Sequence, residues 1–143
     1  MTKVLFVCTG NTCRSPMAGA LAGKLAREHR VPWEIKTAGV FAFPGSPASD
    51  QAVAVMEEMG LDLRDHAATQ VTGELIDWAD WIITMTEAHK EQLLAAFPQA
   101  GDKQVISFNI PDPFGGTLAD YRRTAEALQE ALTGILSRFR EEN

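Results

Sequence analysis

The chain has 143 residues, 45% of them apolar, a net charge of −6 at pH 7 and only two cysteines. A length of this order suits one domain, residues 1–143, with a single full core that buries roughly 70% of the unfolded surface. The acidic balance disfavours nucleic acid, whose phosphates ask for a basic face; no apolar run approaches the roughly 18 residues of a membrane span; and Cys8 and Cys13 alone supply too few ligands for a disulfide framework or a structural zinc site.

Taken in chain order, residues 2–7 read as a short, uninterrupted and therefore buried strand. One lysine and a very short apolar run do not make a signal peptide, and with so few cysteines the expected compartment is the reducing cytoplasm. A small-residue loop comes next, Cys8-Thr9-Gly10-Asn11-Thr12-Cys13-Arg14. Ser15 is read as the cap of a helix and Pro16 as its first residue, with Met17, Leu21 and Leu25 on one apolar face to about Arg30. Trp33 to Thr37 is a second strand ending at Ala38-Gly39, and Phe43-Pro44-Gly45-Ser46-Pro47 is a loop. Val53, Met56 and Met59 form a helical stripe stopped at Gly60. Residues 66–72 look irregular, and Leu75, Ile76 and Trp78 suggest a short helix. Trp81 to Met85 is a third strand, after which Thr86 caps a helix to about Phe97. Gln104 to Phe108 is a fourth strand, Asn109 to Gly116 a loop, and a long helix runs through Leu118, Tyr121, Leu128, Leu132, Ile135 and Phe139. Trp33, Trp78 and Trp81 are assigned to packing, and His29 and His89 to helix surfaces.

Strands alternating with helices imply an α/β fold: a small doubly wound three-layer sandwich with a four-stranded parallel sheet and an anion-binding loop after the first strand. Ligands of such folds bind outside the carboxyl ends of the strands, where Cys8 falls.

Gly10 and Asn11 tolerate the positive φ that a loop curled around an anion requires. Such a loop turns its N–H groups inward, and the helix after it adds a partial positive charge. Arg14 can grip two oxygens of the same anion. These charges favour a thiolate at Cys8, and the Ser15 hydroxyl can hydrogen-bond the sulfur. The pieces suit attack on phosphorus through a cysteinyl-phosphate intermediate. A lone cysteine at a strand end would read as a small buried hydrophobe; the Cys-x5-Arg-Ser pattern between strand and helix outweighs that reading. The displaced group needs a proton, and Asp112, stiffened between Pro111 and Pro113, is the candidate donor. Taken alone, Asp112 would read as a turn residue or a helix cap. Phe41 and Phe43 come after the second strand, so one of them can wall the cleft. Cys13 reads as space-filling under the loop, or as a partner thiol that traps oxidised Cys8 as a disulfide. Nothing in the sequence calls for a metal or other cofactor.

With these residues the sequence resembles the low-molecular-weight protein-tyrosine phosphatase family over nearly its whole length. The match includes residues 8–16, Thr37-Ala38-Gly39, His66 and Asp112-Pro113-Phe114. The resemblance implies Cys8 as nucleophile, Arg14 as phosphate and transition-state clamp, and Asp112 as general acid and then base on water. Residues Thr9 to Ser15 would bind the phosphate. It also implies a supporting network of Asn11, Ser15, His66 and Thr37, the last usually serine. Two departures bear on substrate. Thr12 stands where isoleucine or leucine is common, and Phe114-Gly115-Gly116 replaces tyrosines. With Phe41 these features resemble the protein-arginine phosphatase branch, and phosphorylated proteins are the implied partners. The same chemistry on phosphotyrosine is the alternative. An arsenate reductase would need further downstream cysteines, and a non-catalytic phosphoresidue-binding module would typically have lost Cys8, Arg14 or Asp112.

Overall fold

The computed structural model describes residues 1–142, with side chains described to Phe139. Its elements are β1 (Thr2–Cys8), α1 (Arg14–Glu28), β2 (Trp33–Gly39), α2 (Asp50–Glu58), α3 (Gly73–Trp78), β3 (Trp81–Thr84), α4 (Glu87–Ala96), β4 (Gln104–Ser107) and α5 (Leu118–Glu142). The sheet is four-stranded and parallel in the order β2-β1-β3-β4. It is the expected α/β architecture, and a 3-10 turn at Pro98–Asp102, unread in the sequence, leads into β4.

β1 is an inner strand, and its side chains divide by the two-residue period of a strand. Val4, Phe6 and Cys8 face the apolar core shared with α1 and α5, which also takes in α2. Leu5 and Val7 face the other layer, with Ile76 of α3 and Leu93 of α4. Phe6 is wholly buried, so truncation to alanine there would cost about 3–5 kcal/mol. Both layers are needed: a strand apolar on both faces must be covered twice. Among the described residues no helix is long and apolar enough to cross a membrane; α5 is long, but Arg122, Arg123 and Glu126 punctuate it.

Caps match the residue types in three helices. Ser49 accepts from Ala52 N, Thr72 from Leu75 N and Thr86 from His89 N. The start of α1 departs from expectation. Its cap is Cys13, without a side-chain bond, and Ser15 lies inside the helix. The Ser15 hydroxyl is taken by the loop before it, and Pro16 is tolerated because the first turn needs no N–H from it.

Candidate active site

The register of β1 on β2 sets Cys8 opposite Gly39. A Cβ at Gly39 would lie 2.4 Å from the Thr9 carbonyl oxygen and 3.0 Å from Asn11 N, so no side chain fits there without moving the loop. The chain leaving β2 then fastens the loop: Val40 N donates to Cys8 O and Phe41 N to Thr9 O, both at 2.9 Å.

Asn11 organises the loop from within. It is fully buried and has φ +57°, the left-handed region where asparagine is among the tolerated side chains. Its Nδ2 donates to Ser15 Oγ at 2.7 Å and to Thr37 Oγ1 at 3.0 Å, and its Oδ1 accepts from Thr69 N at 2.9 Å. His66 Nε2 donates to the Asn11 carbonyl at 2.7 Å. The four residues of the expected network therefore do meet. Gly10, which would also tolerate a positive φ, does not adopt one; Asn11 alone makes the left-handed turn within this loop. Ser15 Oγ lies 2.9 Å from Cys8 Sγ, so a hydroxyl hydrogen is within reach of the sulfur.

Arg14 is 5% exposed, and its guanidinium is held on three sides. Nη1 donates to Ile110 O at 2.9 Å, Nη2 to Thr9 Oγ1 at 3.5 Å, and Asp112 Oδ2 is 3.7 Å from Nη2. Among the described residues one loose carboxylate faces this buried cation, which leaves it able to attract a further anion. Asp112 is half exposed, and its Oδ1 accepts from Phe114 N at 3.0 Å. It is thus both a turn residue and a carboxylate facing the arginine. The two descriptions use different oxygens.

These groups line one cleft of about 390 Å³, with Cys8, Thr9, Gly10, Thr12, Cys13 and Arg14 at its floor. Phe41, Phe43 and Phe114 stand at its rim, 71%, 73% and 76% exposed, and Asp112 shares the lining. Phe41 and Phe43 meet edge to face with ring centres 6.1 Å apart. Both cysteines are free. Cys13 is buried and packs its sulfur 3.3 Å from Tyr121 Oη and 3.6 Å from Ser49 Oγ. Burial and the contact with Cys13 push the Tyr121 hydroxyl up to about 12.

His89 is the residue that sequence reasoning missed. It is 5% exposed rather than on a surface, and its Nε2 lies 2.8 Å from Thr9 Oγ1. The Thr86-x-x-His89 spacing is visible as a cap, but only the fold brings the first turn of α4 against the loop. Burial first, and the Arg14 charge second, lower its pKa to about 4 against an opposing pull from Asp112. Among the described residues no group of three or more histidine, cysteine or acidic side chains could hold a metal ion.

A buried guanidinium and a thiol joined by one inward-curled loop define a cysteine-based phosphoryl-transfer site. Residues 3–143 match the family described as low molecular weight phosphotyrosine protein phosphatase. The chain belongs to that family and is a phosphoprotein phosphatase. It is 40% identical to a protein-arginine-phosphatase of Geobacillus stearothermophilus, covering 98% of this chain and 97% of that one. Its counterpart of the same name in Bacillus subtilis is 34% identical, covering 97% of each. Among solved structures, a mutant YwlE arginine phosphatase with a phosphorylated active-site serine superposes with a TM-score of 0.94, at 33% identity and 99% and 98% coverage.

Proposed function

We propose that this protein removes phosphate from phosphoarginine in proteins, with Cys8, Arg14 and Asp112 as its catalytic residues. The Cys8 thiolate attacks phosphorus as the P–N bond breaks. Protonated Asp112 gives its proton to the departing guanidine nitrogen, leaving a cysteinyl-phosphate. Water then attacks phosphorus, Asp112 takes its proton, and the thiolate leaves with the Ser15 hydroxyl hydrogen-bonded to it. Arg14 and the N–H groups of residues 9–15 hold the oxyanion through both steps.

The observation that carries the substrate assignment is Thr12 in the floor of the cleft that Asp112 also lines. A hydroxyl there suits a polar guanidinium, and the carboxyl group of Asp112 can hydrogen-bond that group and, in its protonated form, give the leaving nitrogen its proton. The names of the two full-length relatives support the same reading. The three exposed phenylalanines at the rim favour a second reading, in which an aromatic ring packs there and phosphotyrosine is the substrate. The chain would act as one domain in a reducing compartment, which two free cysteines suit. Peroxide is expected to convert Cys8 to a sulfenic acid, which Cys13 then traps as a disulfide with release of water. Mass mapping that finds only overoxidised Cys8 rules that protection out.

The deciding experiment compares kcat/KM on phosphoarginine and phosphotyrosine peptides. The wild type is expected to favour phosphoarginine, and Thr12→Ile to move the ratio toward phosphotyrosine. A wild-type preference for phosphotyrosine overturns the substrate; an unchanged ratio in Thr12→Ile removes Thr12 from its selection.

A further inference from the structure

The hydrogen bonds behind Thr9 run in one direction. Thr86 Oγ1 accepts the His89 backbone N–H at 3.3 Å, and His89 Nδ1 lies 2.9 Å from the same oxygen. The Thr86 hydroxyl hydrogen can therefore go to Nδ1, which leaves the ring proton on Nε2. In the opposite tautomer Thr86 would receive two N–H groups, and its own hydrogen would have no acceptor among the described contacts. With the proton on Nε2, His89 donates to Thr9 Oγ1 at 2.8 Å. Arg14 Nη2 approaches that oxygen at 3.5 Å. Two donors on the oxygen leave the Thr9 hydroxyl hydrogen free, and Thr9 is exposed at the floor of the cleft.

We infer that His89 is a positioning residue acting through Thr9: it turns the Thr9 hydroxyl into an added donor for a bound oxyanion and steadies the Arg14 guanidinium beside it. The inference rests on the proposed reading of this loop as an oxyanion cradle. A neutral imidazole is required, because a cationic one could not accept from Thr86. Burial and the neighbouring Arg14 keep it neutral, and Asp112, the carboxylate facing the same region, does not reverse this. The role differs from that of the cap alone. A cap needs only the Thr86 hydroxyl and the His89 backbone, whereas the relay needs the ring.

The test uses the full chain with His89→Ala, His89→Gln, Thr9→Val and the double variant His89→Ala/Thr9→Val. The readouts are kcat, KM and calorimetric binding of vanadate as the oxyanion probe. Losing one charge-assisted donor predicts a fall of about tenfold to a hundredfold in kcat and in vanadate affinity, with KM nearly unchanged. The double variant should be no worse than either single one, since both act through one hydroxyl. His89→Gln, whose amide N–H can still reach Thr9, should recover part of the loss. Nitrogen chemical shifts of the wild-type imidazole at neutral pH should report the Nε2–H tautomer. Less than a twofold change in vanadate affinity in Thr9→Val overturns the inference, as does additivity in the double variant or the Nδ1–H tautomer. Thr9→Val keeps the volume beside His89 but removes the acceptor of its Nε2–H, so Thr9→Val together with the wild-type tautomer carries the test if a His89 variant folds poorly. Vanadate binding needs no turnover. A wild type that binds vanadate but turns over neither phosphopeptide overturns the proposed reaction and not this inference.

Discussion

The two loops that frame the cleft are built on opposite principles. The loop from Cys8 to Ser15 is buried at Cys8, Asn11, Cys13, Arg14 and Ser15, and it is bonded to β2, residues 66–69, the Ser49 cap of α2, and α4. The loop from Asn109 to Gly116 exposes Asp112 and Phe114, and its carboxylate reaches Arg14 only at 3.7 Å. Fixed dipoles stabilise an oxyanion most when they need not reorganise, so the cradle concentrates its hydrogen bonds inward. In the proposed reaction the opposite wall must admit a protein segment and meet a leaving group whose position the cradle sets, which its openness suits. Damage should therefore divide: cradle substitutions lose folding stability and activity together, and substitutions in the opposite wall lose activity alone.

Cys8→Ser gives the largest expected effect on rate, a loss beyond about a thousandfold in steady-state turnover, because a hydroxyl at neutral pH is a far weaker nucleophile than a thiolate. Next is Asp112→Asn, expected to lower kcat about a hundredfold with the melting temperature within about a degree of wild type. A clear drop in melting temperature in that variant would break the comparison. Asn11→Ala should do the reverse. It empties three side-chain hydrogen bonds and leaves alanine at φ +57°, for a cost of about 2–4 kcal/mol in denaturant unfolding, with activity falling alongside. Full stability in Asn11→Ala would show that the cradle is not held by this network.

The smallest effect is a slope. A free histidine titrates near 6.5 and folded His89 at about 4, so between these values the unfolded chain binds the proton more tightly. The contribution of the neutral ring is full above pH 6.5 and is lost as pH falls toward 4. His89→Gln should flatten that part of the stability curve, whereas Asp112→Asn removes a charge that pulls the His89 pKa up, so it should keep the slope and carry it to lower pH. Stability measured by denaturant unfolding at half-unit steps of pH reads the difference.

Legibility in the sequence respects the same divide. The Cys-x5-Arg-Ser spacing, the strand before it and the prolines around Asp112 are local signals, and each leads to the right part of the cleft. Ser15 reads as a cap because its residue type fits one; the competition from Cys8 and Asn11 for its hydroxyl is tertiary. Gly10 permits a conformation that the loop instead assigns to Asn11, where a side chain is also needed. His89 is hidden for a similar reason. A polar residue three after a cap normally faces water, and only the β1–β3 pairing, with the turn into α4 after it, brings it beneath Thr9. The supporting network comes from family resemblance, since no spacing links Thr37, His66 and Asn11.

β1 has neighbours on both sides and no solvent exposure from Val4 to Val7. Its amide hydrogens should be among the slowest in the chain to exchange with deuterium, released only when the whole sheet comes apart. The strand that ends in Cys8 then has no partly opened form of its own. Chaperones, proteases and denaturants would meet either a chain with Cys8 seated or one with no sheet at all.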